Sequence, residues 1–324
     1  LARDCYNSPM KGKKLISFVV PVYNEELAVP HLITTLTSFI KKQKKYEFEV
    51  ILVENGSTDT SFSLLKKYAK RNKSLKIIQL AKNIGCDGGI EAGMQFARGN
   101  ALVVVMADLQ EPLEIVNTFI EKWEDGFEIV YGIVKKRTAG FVRNISSLIF
   151  YKLINILTHN MFPENASDFR LIDKKVYLTI NSLTEKNKYL RGLIIWTGFK
   201  SIGIPFDRKN RIAGESKANM TTVLKVAVNG IFSFSYAPLR FVSFLGISIT
   251  LISFIMMIGY MYLFFVHGRE APGVMTIIML ILFLFGLLFF SLGIISEYMA
   301  RIYDEVKGRP SFLVKRLINT SQHS

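Results

Sequence analysis

The sequence predicts an α/β domain with a mostly parallel sheet, followed by an interfacial helix and two transmembrane helices. Three observations carry this expectation. Two uncharged apolar runs close the chain, Leu245 to Val266 and Val274 to Ser296, each 22–23 residues long. At ~1.5 Å per residue, either run can cross a hydrocarbon layer of ~30 Å. Ahead of them, short β-branched runs alternate with helical stretches, and each run is nearly all apolar, as strands covered on both faces must be. Polar clusters follow each of those runs.

In chain order, Ile16–Val20 (ISFVV) predicts a strand ending at Pro21, and 27–42 predicts a helix. Glu49–Val53 (EVILV) is the next strand, and 60–72 the next helix. A helix over 88–97 leads to a strand over Ala101–Met106. Gly85, Gly88, Gly89 and Gly93 match neither a dinucleotide nor a P-loop fingerprint, so they are expected to permit close packing or close approach of a ligand. The segment Lys135–Arg143 (KKRTAGFVR) is basic. Thr221–Phe234 is apolar with little charge and suits a helix lying in the membrane interface, with an ordinary core helix as the alternative. The expected organisation is a flexible N-terminus over 1–13, a catalytic domain over 14–214 and juxtamembrane helices over 215–238. Transmembrane helices over 239–266 and 274–299 and a basic cytoplasmic tail over 300–324 complete it.

The 41 Lys and Arg against 26 Asp and Glu give a net charge of +15. Such a charge suits nucleic acid, an anionic membrane face or a phosphate-rich substrate. The apolar runs favour the last two, and no helix-turn-helix or aromatic RNA-binding pattern supports nucleic acid. Two cysteines, Cys5 and Cys86, make no disulfide framework, and four scattered histidines make no zinc site. The stretch from Met10 (MKGKKLISFVVPVY) is too short in its apolar part, and meets Pro21 too soon, to read as a secretory signal. Basic residues flank the apolar runs unevenly. Lys217, Lys225 and Arg240 precede them and Arg301, Lys307, Arg309, Lys315 and Arg316 follow, whereas the connector carries only Arg269, beside Glu270. Both termini and the large domain are therefore expected in the cytoplasm, on a multi-pass plasma-membrane protein.

Ligands of parallel α/β sheets bind beyond the carboxyl ends of the strands. The polar clusters fall there: Tyr23-Asn24-Glu25-Glu26, Glu54-Asn55-Gly56-Ser57-Thr58-Asp59 and Ala107-Asp108-Leu109-Gln110. Any one of them reads as turn or cap chemistry, Ser57 and Asp59 as caps of the next helix in particular. Three converging on one rim point to a site.

The motifs VVPVYNEE (Val19–Glu26), VENGSTD (Val53–Asp59), ADLQEP (Ala107–Pro112), DFRLID (Asp168–Asp173), RIAGESK (Arg211–Lys217) and YDEVKGRP (Tyr303–Pro310) occur in that order. In this the chain resembles the polyprenyl-phosphate glycosyltransferases, which are membrane-anchored inverting enzymes of family 2. The group includes bactoprenol glucosyltransferases and dolichol-phosphate mannose synthases. The resemblance implies a GT-A (Rossmann-like) fold and a UDP-sugar donor, UDP-glucose first. It implies undecaprenyl phosphate as acceptor at the lipid bilayer and, by analogy, a homo-oligomer such as a tetramer. It places Pro21, Tyr23, Asn24, Glu26, Glu54 and Asn83 at the nucleotide and Asp108 and Gln110 at a divalent metal, Mg2+ or Mn2+, whose hard-oxygen preference their carboxylate and amide meet. Asp108 and Asp168 are the implied catalytic residues, Asp168 as a base or as the orienter of a basic partner or of the metal shell. Arg143, Ser147, Arg211 and Lys217 are implied at the acceptor phosphate.

The chain departs from the family pattern in three places. The usual Asp-x-Asp reads Met106-Ala107-Asp108, with another group such as Glu111 to assist. The usual Asp-Asp-Gly-Ser reads Glu54-Asn55-Gly56-Ser57, and Val134 stands where relatives carry an arginine. Two other readings stay open: a processive polysaccharide synthase, which needs more spans and a Gln-x-x-Arg-Trp-like motif, and an impaired paralogue acting as a membrane scaffold.

Overall fold

The computed structural model describes residues 12–135, 165–186, 188–209, 237–267 and 273–321. The chain forms two compact units, Leu1–Lys225 with Pro310–Ser324, and Val226–Arg309.

The first unit is built on an eight-stranded sheet. Its strands are β1 (Leu15–Val22), β2 (Glu47–Glu54), β3 (Leu75–Leu80), β4 (Ala101–Val104), β5 (Ile129–Val134), β6 (Ala166–Asp173), β7 (Ser201–Phe206) and β8 (Val314–Ile318). They lie in the order β7-β5-β6-β4-β1-β2-β3-β8. Four neighbouring pairs are parallel (β1 with β2 and β4, β2 with β3, β5 with β7) and three are antiparallel. The α/β class and the mostly parallel sheet are as expected. Between β1 and β4 the strand order reverses, which opens a crevice at the carboxyl ends.

Helices α1 (Val29–Lys42), α2 (Ser61–Arg71), α3 (Gly85–Phe96), α4 (Ile115–Glu124), α5 (Lys174–Ser182) and α6 (Leu190–Trp196) accompany the sheet. Strand β1 alternates its buried side chains between two apolar layers. Phe18 and Val20 pack with Leu32, Leu36 and Phe119, while Val19 packs with Ile51, Ile90, Val176 and Tyr177. Helix α1 takes Pro30 in its first turn, where a missing N–H is harmless, and carries Lys41 and Lys42 in its last, where they face the negative end of the dipole. On α3, a Cβ at Gly93 would stand 2.3 Å from Val19 Cγ1, so this glycine lets the helix lie directly on β1.

Strand β1 continues through Pro21, and β4 stops at Val104, two residues earlier than the sequence suggests. Strands β3, β5, β6, β7 and β8 extend the predicted set. Strand β8 follows the apolar runs yet pairs antiparallel with β3, Ile318 opposite Ile77.

The second unit holds α7 (Ala237–His267) and α8 (Val274–Lys307). Both apolar runs are helical. Among the described residues one stretch, Phe283–Lys307, is long and apolar enough to cross a membrane, and Leu239–Ile249 is a shorter apolar segment. Large apolar side chains such as Phe244, Ile255, Phe265 and Phe289 are exposed along both helices. Helix α8 ends at Gly308, which adopts the left-handed conformation (φ 63°) of a helix terminator. The readings over 1–11 and Thr221–Phe234 lie outside the described residues.

Candidate active site

The loops after β1 and β2 are stitched to each other by short polar side chains. Thr58 N donates to Asn24 Oδ1 (2.8 Å), and Asn24 N donates to Ser57 Oγ (3.1 Å). Thr60 donates to Glu26 Oε2 from N (3.1 Å) and Oγ1 (2.6 Å), and Glu26 N donates to Asp59 Oδ2 (3.2 Å). Asn24 holds φ 49°, which its side-chain type tolerates. Gly56 (φ 68°) is required twice over, because a Cβ there would lie 2.7 Å from the Lys82 backbone.

Asn55 fastens the loop entering α3. Its Nδ2 donates to Gly85 O (2.7 Å) and its Oδ1 accepts from Ile84 N (3.0 Å). Asn83 Oδ1 accepts from Gly85 N (2.8 Å) and closes the turn into the helix. Glu54 is fully buried at the end of β2. Its Oε1 accepts from Ser57 N (2.5 Å), while its Oε2 is buried with no partner among the described residues.

Beyond β4, Leu109 turns the chain with φ 48°, and Asp108, 7% exposed, accepts from Gln110 N (3.3 Å). Glu111 Oε1 accepts from Ser167 Oγ (3.3 Å) and from Arg208 Nη2 (3.2 Å). Its Oε2 is a second buried acceptor left unmatched among the described residues. Burial, opposed by Arg208 and reinforced by Asp108, pushes the Glu111 carboxyl above its ordinary value. Met106 Sδ lies 3.9 Å from Cys86 Sγ, which brings the first turn of α3 to the end of β4.

Strand β6 runs antiparallel to β4 with Arg170 opposite Val104, so Asp168 lies beyond the β4 carboxyl end. Arg191, in the first turn of α6, donates Nε to Asp168 Oδ1 (2.5 Å) and Nη2 to Oδ2. Arg170 Nη2 donates to Oδ1 at 3.1 Å. Burial alone would raise the Asp168 carboxyl, but Arg191 and Arg170 more than offset it and hold it below the usual range. Asp87, on the first turn of α3, is raised to about 6 by burial and then by Asp168.

The structure therefore places Pro21, Tyr23, Asn24, Glu26, Glu54, Asn83, Asp108, Gln110 and Asp168 along the carboxyl side of the sheet. Arg143, Ser147, Arg211 and Lys217 lie outside the described residues. Arg191 escapes sequence reading, because one arginine in the apolar helix LRGLIIW carries no pattern until the fold sets it against Asp168. A cavity of about 510 Å³ lies away from this rim, beside Glu91, Asn181, Lys188 and Phe312. It is bordered by the buried Lys188–Glu91 ion pair (3.0 Å).

The residues fit a hard divalent cation. Asp108 is close enough to Glu111 to raise its carboxyl, and Glu111 keeps one buried oxygen unmatched. Among the described residues no group of three or more His, Cys, Asp or Glu gathers to hold a metal. A cation here would take its remaining ligands from a substrate.

The crevice at the β1/β4 reversal is bordered by strand-end carboxylates. Residues 17–180 match the family described as glycosyl transferase family 2, and the chain belongs to that family: it is a glycosyltransferase. It is 38% identical over 301 residues to an uncharacterised glycosyltransferase of Bacillus subtilis (strain 168), covering 93% of each chain. It is 34% identical over 302 residues to a prophage-derived bactoprenol glucosyl transferase of Shigella flexneri, covering 93% of this chain and 97% of that one. Among solved structures it is similar to glucosyl-3-phosphoglycerate synthase from Mycobacterium tuberculosis, in complex with Mn2+, UDP and phosphoglyceric acid. That match has a TM-score of 0.49 and 13% identity, over 66% of this chain and 75% of that one.

Proposed function

We propose that this chain transfers one hexose, glucose in the first instance, from a UDP-sugar to undecaprenyl phosphate, with inversion, in a GT-A-type site at the cytoplasmic membrane face. The relatives named as bactoprenol glucosyl transferases support the acceptor class and the sugar. The observation that carries the reading is a pair of buried carboxylate oxygens unmatched among the described residues, Glu54 Oε2 at the carboxyl end of β2 and Glu111 Oε2 in the loop after β4. A buried acceptor without a donor costs about 1–3 kcal/mol, so a site that keeps two is built for a ligand that donates or bridges to them.

Glu54 accepts from the nucleoside, and Pro21, Tyr23, Asn24, Glu26 and Asn83 form the wall beside it. Asp108 and Gln110, helped by Glu111, hold Mg2+ or Mn2+. When bound, such an ion neutralises the charge on the departing diphosphate. Arg143, Ser147, Arg211 and Lys217 receive the acceptor phosphate. That phosphate is ionised near neutral pH, so its oxygen attacks the anomeric carbon without a proton being removed first, and the bond to UDP breaks on the opposite side.

The sheet supports a reading with two spans. Strand β7 precedes α7 and β8 follows α8, and both strands belong to one sheet. A chain that leaves and rejoins one sheet crosses a bilayer an even number of times. With α8 as a span, α7 is its return partner, and the connector 268–272 lies on the far side. Single cysteines in that connector, labelled by an impermeant thiol reagent from outside the cell, test this; labelling only after lysis contradicts it.

The functional test incubates the purified chain with undecaprenyl phosphate and UDP-glucose, UDP-N-acetylglucosamine or UDP-galactose, with Mg2+ or Mn2+, and identifies the lipid product by mass spectrometry. A lipid-phosphate-hexose is the expected product. Free sugar alone, a polymer, or no turnover of any donor would contradict the proposal.

A further inference from the structure

Asp168 stands where a base would be sought, yet both of its oxygens are committed. Arg191 grips them as a fork, and Arg170 adds a third N–H at 3.1 Å. Arg170 is itself tied down, donating from Nη2 to Ser167 O (3.0 Å) and from Nε to Asp168 O (3.3 Å). A carboxylate held this way is a poor proton acceptor, because protonation breaks charge-assisted bonds to two cations.

The two guanidiniums differ in what they have left to offer. The Arg170 side chain is 6% exposed and that of Arg191 is 34% exposed. After forking onto Asp168 through Nε and Nη2, Arg191 keeps both N–H groups of Nη1 and one of Nη2 without a partner among the described residues. It lies within charge range of Asp87 and Cys86, and Cys86 touches Met106, two residues before Asp108. A planar cation, fixed at its rear by a carboxylate and open at its front beside the metal-ligand strand end, is the usual receptor for a phosphoryl group.

We propose that Arg191 binds a substrate phosphoryl group and that Asp168 is its positioning residue, not a base. The catalytic consequence rests on the transfer reading above; the phosphate recognition does not. The phosphoryl group belongs either to the donor diphosphate or to the acceptor monophosphate. The reaction balances without a base: an ionised acceptor oxygen forms the new bond to the anomeric carbon, the old bond to the diphosphate breaks, and UDP leaves with the electron pair.

The test uses the full chain in detergent and two probes that need no turnover, UDP and farnesyl phosphate. Their affinities are measured by calorimetry for wild type, Arg191→Gln, Arg191→Lys, Asp168→Asn and the double variant Asp168→Asn/Arg191→Gln, with a melting curve for each. Arg191→Gln should weaken at least one probe by about tenfold or more at an unchanged melting temperature, and the probe affected names the phosphate. Arg191→Lys keeps charge without the fork and should restore part of the loss. Asp168→Asn should weaken the same probe, and the double variant should be no worse than Arg191→Gln, because the two residues act as one unit. If Arg191→Gln lowers the melting temperature, Arg191→Lys decides by the same criterion at a smaller loss. Unchanged affinity for both probes overturns the proposal. So does an Asp168→Asn chain that binds both probes normally but loses turnover while Arg191→Lys keeps it, which is the signature of a base. A wild type that binds the probes but transfers no sugar sinks the transfer reading and leaves the Arg191 assignment decided on binding.

Discussion

Glu49 and Glu54 lie on the same strand, both buried, and use their oxygens in opposite ways. Glu49 Oε1 accepts from Ser17 Oγ (2.5 Å) and Arg98 N (2.7 Å), and its Oε2 pairs with Lys76 Nζ. Ser17 Oγ in turn accepts from Gly99 N (2.8 Å), and Tyr177 OH donates to Gly99 O (2.6 Å). That network knits β1, β2, β3 and α5 around the residues that enter β4, with every acceptor of Glu49 answered. At the other end of β2, Glu54 has one answered oxygen and one unanswered. A satisfied buried charge specifies architecture, whereas an unsatisfied one at the crevice marks where a ligand completes the structure.

The largest effect expected from this contrast is on stability at Glu49. Glu49→Ala strands the Lys76 ammonium in a site where it is 16% exposed. It should cost about 3–5 kcal/mol, seen as a fall of roughly 6–20 °C in melting temperature. UDP affinity of the folded protein should not change. Burial would raise the Glu49 carboxyl, but Lys76, Ser17 and Arg98 more than offset this and lower it. The sign follows: its stabilisation is complete above the ordinary carboxylate range and is lost as pH falls through the depressed folded value. Wild type should therefore lose more melting temperature between neutral and acid pH than Glu49→Gln does. An equal loss would break the comparison.

The next effect is on chemistry at the other edge. Asp108→Asn should reduce transfer by about a hundredfold, or ~2.7 kcal/mol in the barrier, with an unchanged melting curve. Near-wild-type turnover in Mg2+ would remove Asp108 from the metal. Smaller still, Glu54→Gln should weaken UDP binding by about tenfold, the scale of one hydrogen bond to a charged group, while leaving or slightly raising the melting temperature. A large fall in melting temperature with UDP affinity intact would make Glu54 a second Glu49. The smallest change in turnover belongs to Met106→Asp. A second carboxylate beside Asp108 should tighten Mn2+ binding without donor, read by calorimetry, and alter turnover only modestly. A wild type that is inert until Met106→Asp is made would identify an impaired enzyme.

The parallel heart of the fold is legible in the sequence because its signals are local. The apolar runs of β1, β2 and β4 and the helices between them fall within a few residues of their predicted bounds, since each strand is covered on both faces and each helix carries one apolar stripe. Strand β8 is not legible: VKRLI is short and carries two adjacent charges, and its partner β3 lies more than 200 residues earlier in the chain. Its importance is topological, and only the pairing reveals it. At the site, Glu54 and Asp108 are legible as strand-end acids, and Asp168 only through the family resemblance. The division of labour among them is not, because it depends on which oxygens are answered. Arg191 is the plainest case, an unremarkable helical arginine until β6 and α6 set it against Asp168.

Hydrogen exchange with and without UDP tests the central claim most directly, because it reports which edge of the sheet meets the ligand. The account predicts that UDP protects the amides of Asn55–Asp59 and Ala107–Gln110 at the carboxyl ends of β2 and β4. It also predicts no change at Ser17 and Arg98–Asn100, around Glu49. Protection around Glu49, or none at the loops after β2 and β4 under saturating UDP, would contradict it.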